Sequence, residues 1–166
     1  MRCPVCLWQN FIGDDLCANC GADLTAGDTP EPALSFHGRL LGAMLDEIGA
    51  PEPELIDAEA SAAGAIARMR RDGVDCLLVM EDGNLIGIFT DRDAVLRVAG
   101  RIGPDRRVRD LMTPDPVRLR RDDPIAVAIN KMAVGGFRHV PILDGERPVA
   151  VVSARDVFRH IASSLA

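Results

Sequence analysis

An α/β fold of the α+β kind is what this sequence predicts: two β-α-β-β-α units packed as a pseudo-twofold pair behind a small N-terminal ribbon. Three observations predict it. Shifted by 63 positions, Gly73–Asp93 falls on Gly136–Asp156 without a gap. Each copy reads as a helical stripe followed by two short apolar runs. Four of the five cysteines lie within the first 20 residues, as two Cys-x-x-Cys pairs.

The elements follow in order. Cys3, Cys6, Cys17 and Cys20 carry two-residue spacers within each pair and ten residues between the pairs. With thiols held reduced, this pattern favours metal over disulfides. Each Cys-x-x-Cys turn points two sulfurs at one ion, and four thiolates suit tetrahedral Zn2+ in a structural role. A segment of about 24 residues buries too little to fold alone, so the metal supplies its folding energy. CPVCLWQNFIGDDLCANCGADL resembles the short zinc ribbons found at the ends of bacterial and archaeal proteins, in its Cys-Pro-x-Cys, its Asn10, its Cys-x-x-Cys-Gly-Ala and its closing Leu24. A structural or protein-contact role is the plainest reading, while iron in a rubredoxin-like redox site uses the same ligands. Nucleic-acid binding lacks the cations it needs, because residues 1–24 set only Arg2 against Asp14, Asp15 and Asp23. Trp8 and Phe11 are expected to form the ribbon's apolar core.

Thr25–Ala33 is rich in Pro, Gly and acid and reads as a linker. Leu40, Leu41, Met44, Leu45 and Ile48 form a helical stripe over 34–48 that stops at Gly49. The first copy then predicts a strand near 55–56, a helix over 59–71 stopped by Gly73, strands over 77–80 and 85–89 joined at Asp82-Gly83, and a helix from Asp91 to about Ala99. The second predicts a strand over 117–119 and a helix entered with Asp123 as N-cap and Pro124 as its first residue. Gly135-Gly136 stops that helix. Strands over 140–143 and 149–152 and a helix over 154–163 complete the copy. Domains are accordingly expected at 1–24 (ribbon), 25–33 (linker), 34–103 and 104–166.

Both copies resemble CBS domains, named after cystathionine β-synthase, and the pair resembles a Bateman module. The passages that carry the likeness are Gly87-Ile-Phe-Thr90-Asp-Arg-Asp93, Ala150-Val-Val-Ser153-Ala-Arg-Asp156, the lead-in Val108-Arg-Asp-Leu-Met-Thr-Pro-Asp-Pro-Val117, and Gly136-Phe-Arg-His-Val-Pro-Ile142. The resemblance implies binding of an adenosine compound (AMP, ADP, ATP or S-adenosylmethionine) in the cleft between the copies, a regulatory role without catalysis, and a homodimer. By that resemblance Asp93 and Asp156 hold ribose, and Thr90 and Ser153 hold ribose or phosphate.

The residues themselves allow two readings of Thr/Ser-x-x-Asp. A hydroxyl at the N-cap with a carboxylate three residues on is a capping box, which alone only starts a helix. The same groups suit a nucleotide: a carboxylate accepts from both hydroxyls of a ribose, and a helix N-terminus receives phosphate oxygens. Recurrence beside Gly87 and Ala150, small enough for close approach, favours the ligand. Arg92 and Arg155 add positive charge nearby. The two sites are unequal, because Arg138 and His139 precede the central strand of the second copy, where the family often places phosphate-binding residues. Asp75 and Cys76 stand at those positions in the first copy. Asp75 repels phosphate, so the second site is expected to dominate.

Composition limits the function further. Net charge is −6 and the isoelectric point about 5.0, against a nucleic-acid or anionic-membrane surface. No apolar run approaches a membrane span, and the N-terminus lacks a signal segment, so a cytoplasmic protein is expected. No GxxxxGK[ST], Gly-x-Ser-x-Gly or HExxH motif supports an enzyme. The expectation is a sensor that passes its nucleotide state to a protein partner. A ligand-free dimerisation scaffold, with the ribbon docking a partner, is the alternative.

Overall fold

The computed structural model describes residues 2–11, 14–24, 42–98 and 105–164. The expected linker and residues 34–41 of the expected helix over 34–48 lie outside the described residues. The described residues form two compact units, which divide the chain as 1–50 with 119–140 and 152–166, and as 51–118 with 141–151.

In the unit built on 51–118, four strands are ordered β1 (Leu55–Asp57), β2 (Cys76–Glu81), β3 (Asn84–Thr90) and β4 (Thr113–Pro114). β1 runs parallel to β2, with Leu55 opposite Leu78, because helix α1 (Ala62–Asp72) carries the chain back between them. Ser61 starts α1 by accepting from the Gly64 N–H, so the helix begins three residues later than expected. Gly73 ends it in the left-handed region, at φ 68°. The β2–β3 hairpin turns at Asp82 and Gly83, both at positive φ, as a tight two-residue turn demands. One face of this sheet buries Leu77, Val79 and Phe89 against Ala62, Ala65 and Met69. The other buries Cys76, Leu78 and Ile88 against Leu143 and Val151. Burial on both faces is why the strands read as continuous apolar runs rather than alternating ones.

After β3 the expected helix is present over Asp91–Val98, to the last described residue of this stretch, as one α-turn, α2 (Asp91–Asp93), that widens into a π-turn over Ala94–Val98. Two elements the sequence did not suggest follow: the short helix α3 (Val108–Leu111) and β4, which lays Pro114 opposite Gly87.

The other unit holds the ribbon, a 3₁₀ turn at Leu45–Ile48, and helices α4 (Ile125–Gly135) and α5 (Ala154–Ser164). Of the expected leading helix over 34–48, residues 42–48 are described, and they correct it. The chain is extended at Met44, which bridges to Pro124, and turns only as 3₁₀ over Leu45–Ile48 before Gly49 ends it at φ 64°. A second sheet is ordered β5 (Leu119–Arg120), β6 (His139–Asp144), β7 (Arg147–Ser153), and β6 and β7 pass from one unit into the other. α4 corrects one expectation. Pro124, not Asp123, is its N-cap, and the Asp123 carboxylate instead accepts from the Arg120 N–H at 2.7 Å. That bond closes the turn before the helix, and Pro124 enters with no N–H to satisfy.

The lead-in of each repeat is bonded to the other repeat. Val108 N–H donates to the Ala60 carbonyl, Arg109 N–H to Ala58 and Ala62 N–H to Arg106. The same three bonds recur 63 positions apart: Leu45 to Asp123, Asp46 to Arg121 and Ile125 to Ala43. This exchange explains why the compact units cut across the sequence repeats.

Candidate functional site

The ribbon holds four sulfurs together. Sγ of Cys3 lies 3.6 Å from Cys20 and Sγ of Cys6 lies 3.5 Å from Cys17, with all four within 4.8 Å of one another. Metal–sulfur bonds of about 2.3 Å give a tetrahedron with edges of about 3.8 Å, whereas a disulfide needs about 2.05 Å. The spacing is that of a tetrathiolate cage. Asn10 is buried and braces it, accepting from Ala18 N–H and donating to the Trp8 carbonyl and to Sγ of Cys17. The Val5 N–H points at Sγ of Cys3. Burial pushes the thiols of Cys3 and Cys20 up. At Cys17 burial also opposes ionisation, but donors from the Cys20 and Asn19 backbone and the Cys6 and Asn10 side chains outweigh it and bring it down to about 6. Four sulfurs gathered around one point are an arrangement that a divalent cation completes. Trp8 and Phe11 are not the ribbon's core, being 52% and 84% exposed. Its centre is Cys3, Asn10, Cys17, Cys20 and Leu24, since the sulfurs take the space that aromatic side chains would fill.

The two Thr/Ser-x-x-Asp motifs adopt one geometry. Oδ2 of Asp93 accepts from Thr90 N–H at 3.0 Å and from its hydroxyl at 2.8 Å. Oδ2 of Asp156 accepts from Ser153 N–H at 2.9 Å and from its hydroxyl at 2.6 Å. Asp91 N–H donates to the Asp75 carbonyl as Ala154 N–H does to that of Arg138. The capping box is therefore real at both places, and the second opens an eleven-residue helix while the first opens one turn.

They differ in what holds the remaining oxygen. Oδ1 of Asp93 meets Nε of Arg97 at 3.4 Å, and the same guanidinium donates to the carbonyls of Leu111 and Met112. Oδ1 of Asp156 meets Nη1 of Arg159 at 3.3 Å, and that arginine is 72% exposed. An exposed pair contributes about 0–1 kcal/mol, so a ligand can displace it. Arg97 is itself 43% exposed, and what sets it apart from Arg159 is its two further bonds to backbone carbonyls. The Asp93 side chain is 8% exposed and that of Asp156 is 19%. Both partner arginines were missed in the sequence, although their i+4 and i+3 spacing from Asp is legible.

Of the other candidate residues, Arg92, Arg155 and Arg138 are exposed and His139 is buried. The room expected at Gly87 is not open, because a Cβ there would collide with Sδ of Met112.

The CBS domain family matches residues 45–100 and 108–163, one match on each repeat. This chain belongs to the CBS-domain family. Among curated relatives, the meiotically up-regulated gene 70 protein of Schizosaccharomyces pombe is 34% identical over 116 residues, covering 69% of this chain and 16% of that protein. The chain therefore spans under a fifth of that relative's length. Two solved CBS structures share the fold. The CBS domain pair of protein MJ0100, in complex with 5′-methylthioadenosine and S-adenosyl-L-methionine, superposes with TM-score 0.67 at 21% identity, covering 73% of this chain and 97% of that one. The CBS domain protein PAE2072 from Pyrobaculum aerophilum, complexed with AMP, gives 0.65 at 20%, covering 73% and 99%. Among the described residues of this CBS protein, no helix is long and apolar enough to cross a membrane.

Proposed function

We propose that this CBS-domain protein is a non-catalytic regulatory sensor that binds an adenine nucleotide (AMP, ADP or ATP) at its second repeat and carries a structural zinc ribbon for contact with a protein partner. The observation that carries the reading is the Ser153–Asp156 pair at the start of α5, with Asp156 partly accessible and its second oxygen paired to the exposed Arg159. In the proposal the Asp156 carboxylate takes ribose hydroxyls, Ser153 and the helix start take ribose or phosphate, and Arg138, His139 and Arg155 supply charge to the phosphates. That related CBS pairs are known with AMP and with S-adenosyl-L-methionine supports the ligand class. Thr90, Arg92 and Asp93 would be the weaker counterpart.

Zinc is proposed for the ribbon on the sulfur spacing, and the domain limits 1–24, 25–33, 34–103 and 104–166 are kept as those of the ribbon, linker and repeats. A cytoplasmic homodimer completes the proposal. Met69 and Met132, on the helices that enter each repeat, are buried within their own units and so are not free for a dimer contact. The segments after each aspartate expose Val95, Leu96 and Phe158, and these are the better candidates.

The experiment is a melting series with AMP, ADP, ATP and S-adenosylmethionine added separately, alongside elemental analysis. A rise of several degrees with one of the nucleotides and about one zinc per chain are expected. No response to any of the four favours the ligand-free scaffold, and protein free of zinc and iron removes the metal.

A further inference from the structure

The two repeats share their hydrogen-bond plan, so a residue that breaks the correspondence stands out. The exchanged lead-ins place Gly49 in the second repeat's plan where Met112 stands in the first's, 63 positions apart. Gly49 brings no side chain, and no atom lies within 4 Å of where its Cβ would be. Met112 brings a flexible thioether that lies against Gly87 of β3, three residues before the Thr90 cap. Its position is fixed by its neighbours. Val108 and Leu111 of α3 are fully buried, Met112 N–H donates to the Val108 carbonyl at 2.8 Å, and β4 pairs Thr113 with Ile88.

Arg97 breaks the correspondence a second time. Its guanidinium joins Asp93 to the Leu111 and Met112 carbonyls, at 2.9 and 2.8 Å. The equivalent position in the second repeat is His160. The carboxylate oxygen that would accept a ribose hydroxyl is thus taken by the chain's own cation, and the space beside the strand by the chain's own side chain.

We infer that in the first repeat Met112 and Arg97 act as a built-in plug, filling the place a nucleotide would take, so that each chain binds one nucleotide rather than two. The inference rests on the proposed reading that the second repeat binds an adenine nucleotide. It adds the reason the first does not, and it makes Met112 and Arg97 the residues that set the number of sites.

Calorimetry with AMP on the full chain tests it, using R97H/M112G, which gives the first repeat the residues of the second. The native chain is expected to bind one AMP, lost in Asp156→Ala. R97H/M112G is expected to bind two, and adding Asp156→Ala to it should leave one. A native chain that binds one AMP and a folded R97H/M112G that still binds one would overturn the plug while leaving the second-repeat reading intact. Conversely, a native chain that binds none and a variant that gains one would uphold the plug and remove the second-repeat reading. Absence of binding in every variant overturns both. Should R97H/M112G fail to fold, Asp93→Asn in the otherwise native chain decides. Unchanged stoichiometry and affinity support the plug, and the loss of a bound AMP refutes it.

Discussion

The first and second repeats present the same local chemistry in different surroundings. Both end their first helix at a left-handed glycine whose N–H returns to a methionine carbonyl, Gly73 to Met69 and Gly136 to Met132. Both then form a Thr/Ser–Asp capping box within 0.2 Å of each other in every bond. In the first repeat the box is enclosed by Arg97 and lies beside the Met112–Gly87 contact, and the following segment widens into a π-turn. In the second it starts a regular eleven-residue helix and stays open enough for Asp156 to be 19% exposed. A motif that starts a helix is equally at home in a binding site and in a core, and the neighbours that the fold brings to it determine which it becomes.

The largest expected effect is on the ribbon, which lies in the same compact unit as α4 of the second repeat. A Cβ at Gly21 would meet the Asn130 side chain, so the Cys20–Gly21 knuckle sits against that helix. A structural zinc site contributes about 10–16 kcal/mol of apparent binding energy at neutral pH, and chelation should therefore unfold residues 2–24. Hydrogen exchange should then show lost protection in the ribbon and at the Asn130 turn of α4, with β1–β4 unchanged. Equal loss in both repeats would break the comparison.

Core truncation comes next. Phe89 and Val152 occupy equivalent, fully buried positions. Phe89→Ala should cost about 3–5 kcal/mol and Val152→Ala about 2, read as denaturation midpoints, because the cavity scales with the side chain removed. Equal costs would mean that the second repeat packs as densely as the first.

Asp156→Ala removes a carboxylate proposed to accept two ribose bonds, and about 1.5–3 kcal/mol, or roughly 10- to 150-fold in AMP affinity, should go with it. Asp93→Ala should leave AMP affinity within about twofold and lower the melting temperature instead, since its oxygens are satisfied from within the chain. Calorimetry that reverses this ranking removes the asymmetry. The smallest effect should be a symmetric one. Gly73→Ala and Gly136→Ala each place a Cβ in the left-handed region with nothing nearby to clash, and each should cost about 1–2 kcal/mol. Unequal values would show that the repeats differ even where their backbones match.

Much of this was legible without coordinates. The repeat, the β2–β3 turn at Asp82-Gly83, the glycine stops and the cysteine spacing each follow from chemistry within a few residues of chain. Sequence reading went astray where a competing neighbour was distant or a rule had two outcomes. Trp8 and Phe11 looked like a core because aromatic side chains usually supply one, yet four sulfurs already filled the middle of so short a segment. Asp123 looked like an N-cap, and its carboxylate bonded backward to Arg120 instead. The helix from Asp91 runs to Val98 as expected, but as a π-turn after Asp93, a change of register that the apolar pattern does not encode.

By itself the sequence determined two copies of one CBS unit, a four-cysteine ribbon and a capping box at Thr90–Asp93 and at Ser153–Asp156, because each depends on spacing along the chain. Only the tertiary structure decided that the lead-ins are exchanged between repeats and that Met112 is carried to Gly87, 25 residues before it in sequence. No local pattern specifies such an approach. It depends on α3 being anchored by the Ala58 and Ala60 carbonyls, and these contacts exist only once the strands and helices have packed.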